Sequence, residues 1–147
     1  MPRIERTAEA VWQGRVATGS GTIAGRSSGA FDLPYSEPTR VGDPSGQTSP
    51  EELVAAAHAG CFAMSLAAEL SRLHVEPRRV SVTATCVMDE VPGKGHLVVA
   101  SQLDVKVDAE IDDESLADAV AMADAGCPIS ALIRGTAEVE IALELVG

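Results

Sequence analysis

A chain of 147 residues with a mean hydropathy of +0.12 fits one compact domain and can bury a real core. Its 22 acidic against 11 basic residues leave a formal net charge of -11, which repels nucleic acid and anionic lipid, so neither is expected as a partner. The 3 cysteines, an odd number, speak against a disulfide framework and leave core, metal or redox roles for each.

The opening MPRIERTAEAVWQG has an acidic residue early and no apolar run of signal length, so a secretory leader is not expected and a cytoplasmic protein is. Residues 4–16 alternate loosely, with Ala8, Ala10 and Trp12 on one side, and predict a half-buried strand. Gly19, Gly21, Gly25 and Gly29 then punctuate two short candidates, residues 22–24 and 30–33, the makings of an antiparallel meander. Residues 34–47 are rich in Pro, Gly, Ser and Asp and read as a loop. Its cation is Arg40, which on its own reads as an ordinary solvated arginine.

Residues 48–73, TSPEELVAAAHAGCFAMSLAAELSRL, predict the central helix. Ser49 can cap the N–H of Glu52 while Glu52 reaches back to Ser49, and Pro50 sits at the first helical position, where a missing donor costs nothing. Between Leu53 and Ala68 no side chain is charged and apolar residues lie on every face, so burial nearly all round is expected. The uncharged run is shorter than the roughly 20 residues that span a bilayer, which favours a soluble fold. Cys61 sits mid-helix, far from the positive end, and burial alone would raise its pKa. Either it is a small core hydrophobe, or something cationic must come to it.

Glu76 and Pro77 break the helical pattern. Val80, Val82, Ala84, Cys86 and Met88 then alternate with Ser81, Thr83 and Thr85, a strand with one buried face that gives Cys86 a packing role. A turn over residues 91–95 leads to a partner strand with Leu97, Val99, Leu103, Val105 and Val107 inward and His96 solvated at the turn. Asp112, Asp113 and Glu114 open a second amphipathic helix carrying Leu116, Ala117, Val120 and Ala121, which stops at Gly126. Pro128 opens a short helix to Arg134, which puts Cys127 at a helix N-terminus, where a thiolate is favoured. Ala137, Val139, Ile141, Leu143 and Leu145 alternate with Glu138, Glu140 and Glu144 in a closing strand. The element order argues for an α+β fold with a mostly antiparallel sheet. One small sheet cannot wrap an apolar helix about 36 Å long, so a homodimer with two long helices at its centre is expected.

The run TSPEELVAAAHAGCF, preceded by PYSEPTR and followed by AGCPIS, resembles the OsmC/Ohr family of thiol-dependent organic hydroperoxide reductases, and the element order matches along essentially the whole of residues 1–147. The form His58-Ala-Gly-Cys61 and the arginine just before the helix resemble the OsmC branch; Arg15 would be the Ohr-like alternative. The resemblance implies one OsmC-like domain in an intertwined homodimer with active sites at the subunit interface. It implies Cys61 as the peroxidatic cysteine, Cys127 as the resolving cysteine, and Arg40 with Glu51 holding the thiolate ready. Gly60 stands where alanine is common in the family. The implied chemistry is thiolate attack on a peroxide oxygen, release of the alcohol, and condensation of the sulfenic acid with Cys127 to a disulfide. No cofactor is implied beyond an external dithiol reductant such as a lipoyl protein.

Helix geometry adds a constraint, because Glu51 and Cys61 lie about 15 Å apart along the axis and roughly 80° apart around it. If both serve one reaction, Glu51 acts on Cys61 of the other chain. Phe62, Met64 and Leu66 suit an alkyl or aryl hydroperoxide, although most of them read simply as core; Glu52 serves the cap, and His58 either tunes the thiol or is a satisfied core histidine. Three other readings compete. A metal site of His58, Cys61 and Cys127 lacks the four ligands structural zinc wants. An acyl- or lipid-binding module would leave two well-placed cysteines unused. A cysteine acyltransferase lacks its histidine-plus-acid signature.

Overall fold

The computed structural model describes residues 2–137 and 139–143. The chain divides into two compact units, Met1–Leu53 and Val54–Gly147.

In the first unit β1 (Ala8–Gln13), β2 (Ser20–Gly25) and β3 (Asp32–Tyr35) form the expected antiparallel meander in the order β1-β2-β3. Strand β1 stops short of residue 16 because Gly14 turns the chain at φ 87° and the Arg15 carbonyl accepts the amides of Thr18 and Gly19. The register sets Gly21 opposite both Trp12 and Tyr35, whose rings tilt at 60° with centroids 5.4 Å apart. A Cβ on Gly21 would lie 2.3 Å from the Val11 carbonyl oxygen and 2.7 Å from the Tyr35 ring, so only glycine fits there. Residues 34–47 are not all loop. Ser36 accepts the Thr39 amide and, with Pro38 in the first turn, starts the short helix α1 (Glu37–Val41), which fixes Arg40 on a helical turn.

Helix α2 (Pro50–Arg72) starts where the capping residues predict. The Ser49 hydroxyl accepts the Glu52 amide at 3.2 Å, but the Glu52 carboxylate accepts from the Thr48 hydroxyl at 2.7 Å instead of turning back to Ser49. That hydroxyl offers a short charge-assisted bond, and it wins. The helix ends with His74 in the left-handed region at φ 58° and the Val75 amide on the Leu70 carbonyl.

In the second unit β4 (Arg79–Val91) and β5 (Gly95–Asp108) make a long antiparallel hairpin, turned by the positive-φ glycines Gly93 and Gly95 and irregular at Val87/Met88. Helix α3 (Asp113–Gly126) is capped by Asp112, and α4 (Pro128–Ile133) follows at once. Phe62, Leu66 and Leu70 recur every fourth residue on α2; Ala119 and Ala123 of α3 and then Cys127 repeat that spacing, and the six form the buried core. Val80 and Val82 of β4 and Leu103, Val105 and Val107 of β5 pack against it. Each leucine buried this way contributes on the order of 2 kcal/mol. The α+β class and the antiparallel pairing hold, with the strands split between two sheets.

Four expectations change. Helix α2 is not buried nearly all round: His58, Phe62, Leu66 and Leu70 are buried, while Met64 is 77% exposed. One chain covers one face. At 23 residues α2 is also long and apolar enough to cross a bilayer by length and composition, so length does not exclude a span; the burial of its Phe62, Leu66 and Leu70 face in a mixed α+β core is what argues against one. Leu97 and Val99 are exposed rather than inward, since the core reaches β5 only from Leu103 onward. Finally, Ala137 and residues 139–143 form no strand, and Val139, Ile141 and Leu143 are 87%, 87% and 93% exposed. Alternation marks a face to bury, but a strand also needs a neighbouring edge to bond to, and none of the described residues provides it. Glu138, Glu144 and Leu145 of that expected strand lie outside the described residues.

Candidate active site

Midway along α2, Cys61 meets Cys127, which links α3 to α4; the sulfurs are 3.3 Å apart and both residues are thiols. Cys127 is the N-cap of α4, its sulfur accepting the Ser130 amide at 3.5 Å, as the Cys-Pro sequence predicts. The two environments differ. Burial opposes ionisation of Cys127, yet the amide and hydroxyl of Ser130 and the contact with Cys61 outweigh it and hold this thiol below its usual value. Burial pushes the Cys61 thiol up, and the facing Cys127 pushes the same way; the Ile129 amide and the Ser65 side chain relieve this only in part. Exposure runs the other way, with Cys127 1% exposed and Cys61 half-buried.

One turn before Cys61, His58 is buried with both ring nitrogens engaged: Nδ1 lies 2.7 Å from the Ser101 hydroxyl of β5 and Nε2 2.9 Å from the Ser130 hydroxyl of α4. Burial holds this imidazole below its usual pKa, with Asp124 and Arg134 acting on it in opposite senses. Because serine hydroxyls occupy both nitrogens, His58 and the two thiols are not arranged as a coordination shell. Ser101 and Ser130 are the residues sequence reasoning missed. Ser130 could have been found as the third residue after Cys127, where a helix N-cap meets its donor.

Within the first unit Arg40 and Glu51 form a forked ion pair. Arg40 Nε donates to both carboxylate oxygens at 3.1 Å and Nη2 to Oε1 at 2.5 Å. The Arg40 guanidinium holds the Glu51 carboxyl below its usual value, and Glu51 in turn raises Arg40. Trp12, Val16, Tyr35, Ser36, Glu37 and Arg40 line an open hollow of ≈ 320 Å³. The aromatic wall beside Arg40 was not anticipated. Phe62 and Leu66 lie in the core, as expected of most of the apolar neighbours of Cys61. Arg15 sits in the exposed turn after β1.

Paired thiols of unequal acidity are the equipment of dithiol–disulfide chemistry. Residues 42–142 match the family model described as OsmC-like protein. Peroxiredoxin OsmC of Escherichia coli (strain K12) is 33% identical over 132 residues, which cover 89% of this chain and 91% of that protein. The crystal structure of an organic hydroperoxide resistance protein OsmC from Legionella pneumophila superposes with a TM-score of 0.68 at 25% identity, covering 90% of this chain and 93% of that one. OhrB of Bacillus subtilis, at 24% identity and TM-score 0.61 over 88% of this chain and 92% of its own, shares the fold. The chain belongs to the OsmC-like family.

Proposed function

We propose that the protein is a cysteine-based peroxidase that reduces organic hydroperoxides to alcohols. The observation that carries this reading is the contact of the Cys61 and Cys127 sulfurs at 3.3 Å, since it lets a sulfenic acid on one condense with the other. Acidity alone would favour Cys127 as the attacking thiol, but at 1% exposure it cannot meet a substrate first. Cys61 is therefore the peroxidatic residue and Cys127 the resolving one. Cys61 attacks one oxygen of ROOH, the O–O bond breaks, and RO⁻ leaves and is protonated to the alcohol. An external dithiol, such as a lipoyl protein, reduces the resulting disulfide.

The cation that Cys61 needs is Arg40, held by Glu51. Since Glu51 and Cys61 cannot share a site along one straight helix, the pair acts on Cys61 of a second chain. A homodimer is supported independently by the apolar faces of α2 left open in one chain and by the exposed alternating residues Val139, Ile141 and Leu143. In such a dimer residues 1–147 work as one domain. The name of the Escherichia coli relative, a peroxiredoxin, and that of the Legionella pneumophila protein, organic hydroperoxide resistance, support the substrate class. The cytoplasm suits the reduced thiols and the dithiol partner. Consumption of cumene hydroperoxide with dihydrolipoamide, lost in Cys61→Ser, tests the proposal. Binding of hydrophobic ligands without turnover would support the binding-module alternative instead.

A further inference from the structure

Ser130 joins His58 to Cys127: its amide donates to the Cys127 sulfur at 3.5 Å, and its hydroxyl lies against the His58 ring. That hydroxyl has one proton to give, and the Asp124 carboxylate and the Cys127 sulfur both draw on it, each held below its usual pKa in part by this bond. With that proton given to either, the Ser130 oxygen accepts from His58 Nε2, 2.9 Å away. In that arrangement the neutral imidazole carries its hydrogen on Nε2, and Nδ1 accepts from the Ser101 hydroxyl at 2.7 Å. Arg134 Nη2 donates to Asp124 Oδ2 at 2.7 Å, so that carboxylate is already held by a charged partner. Asp124 of α3 and Arg134 after α4 are the charges acting on this imidazole, and β5 presents the neutral Ser101.

We infer that His58 is a positioning residue for the disulfide-forming step: from α2 it holds the Ser130 hydroxyl aimed at the Cys127 sulfur, readying Cys127 to attack oxidised Cys61. This rests on the peroxidase reading above. In the step, the Cys127 thiolate attacks the Cys61 sulfur of the sulfenic acid, the S–S bond forms and the S–O bond breaks. Hydroxide leaves and takes a proton to become water. The Cys127 sulfur is oxidised as the Cys61 sulfur is reduced, so no further reactant is needed.

The test titrates Cys127 by thiolate absorbance in a Cys61→Ser/Cys86→Ala background, where it is the last thiol of the chain. Both His58→Leu and Ser130→Ala are expected to raise the midpoint by about one pH unit, and to slow disulfide formation at neutral pH about tenfold in the chain with all its cysteines. The double variant should go no further than either single one. His58→Gln, which keeps a donor where Nε2 stood, should restore most of the shift, which a loss of packing alone would not allow. Unmoved midpoints in His58→Leu and Ser130→Ala, or a Gln variant no better than the Leu one, overturn the role. If those midpoints stay put while the unmodified chain consumes cumene hydroperoxide, only the role of His58 falls. If the unmodified chain consumes none, the peroxidase reading falls and takes this role with it.

Discussion

Cys61 and Cys127 stand 66 positions apart in the chain, yet their sulfurs are 3.3 Å apart. The contact joins the middle of the longest helix to the N-cap of the shortest helix of the second unit, and it sets what each thiol can do. Cys61→Ser should therefore abolish hydroperoxide consumption. Cys127→Ser should allow a single turnover and leave a sulfenic acid on Cys61 that a dimedone probe traps and mass spectrometry reads. A Cys127→Ser chain that cycles normally with a dithiol would remove the resolving role.

The forked contact between Arg40 and Glu51 gives a second expectation. Arg40→Met should slow the oxidation of Cys61 on the order of 100-fold, through loss of charge stabilisation at the reacting oxygens. Glu51→Gln should cost less, because it loosens the guanidinium without removing it. Since the Glu51 carboxyl is held below its usual value, the stability it contributes is complete above the ordinary carboxylate range and fades as pH falls through the folded value. Chemical denaturation of the unmodified and Glu51→Gln proteins should give a constant difference from about pH 5 to 8 that shrinks below about pH 4.

Chain mixing examines the composite site. Cys61→Ser and Glu51→Ala chains, refolded together, should form heterodimers with one intact site. Random pairing would then give roughly a quarter of the unmodified activity. Peroxidase activity no higher than in either parent would place Glu51 and Cys61 outside a shared site.

How much of this was legible in the sequence varied with the kind of signal. The ends of α2 and α3 were readable because Ser49, Pro50, Asp112 and Gly126 act locally, within one turn of the backbone they satisfy. Cys61 and Cys127 were readable as redox candidates by residue type, and Cys127 as an N-cap, because Pro128 fixes the helix start. What local pattern could not supply was partnership over distance. The closing alternation specified a face but no edge to pair with, and the clear alternation of Leu97 and Val99 could not reveal that the core ends at Leu103. The bonds from His58 to Ser101 and Ser130 span 43 and 72 positions and leave no periodic trace.

Packing gives a further pair of expectations. Leu66 is fully buried, so Leu66→Ala should destabilise the protein by about 3 kcal/mol through lost transfer energy and a residual cavity. At Gly60 a Cβ would meet nothing within 4 Å, and the backbone is helical. Gly60→Ala should therefore stabilise by up to about 1 kcal/mol, the intrinsic preference of a helix for alanine. Thermal unfolding of both variants reads the two signs together.

The hollow beside Arg40 should set preference among substrates. Trp12→Ala removes the largest wall of that hollow and should raise KM for cumene hydroperoxide several-fold while leaving hydrogen peroxide, which has no organic group, unaffected. Steady-state comparison of the two peroxides measures this directly.

Bonding the sulfurs of α2 and of the α3–α4 joint would tie the chain into a ring of more than sixty residues. A tether that long withdraws on the order of 4 kcal/mol of freedom from the unfolded ensemble. The molecule would thus be toughest in the instant after it has worked and softest when rearmed, so heat or protease would sort spent copies from ready ones.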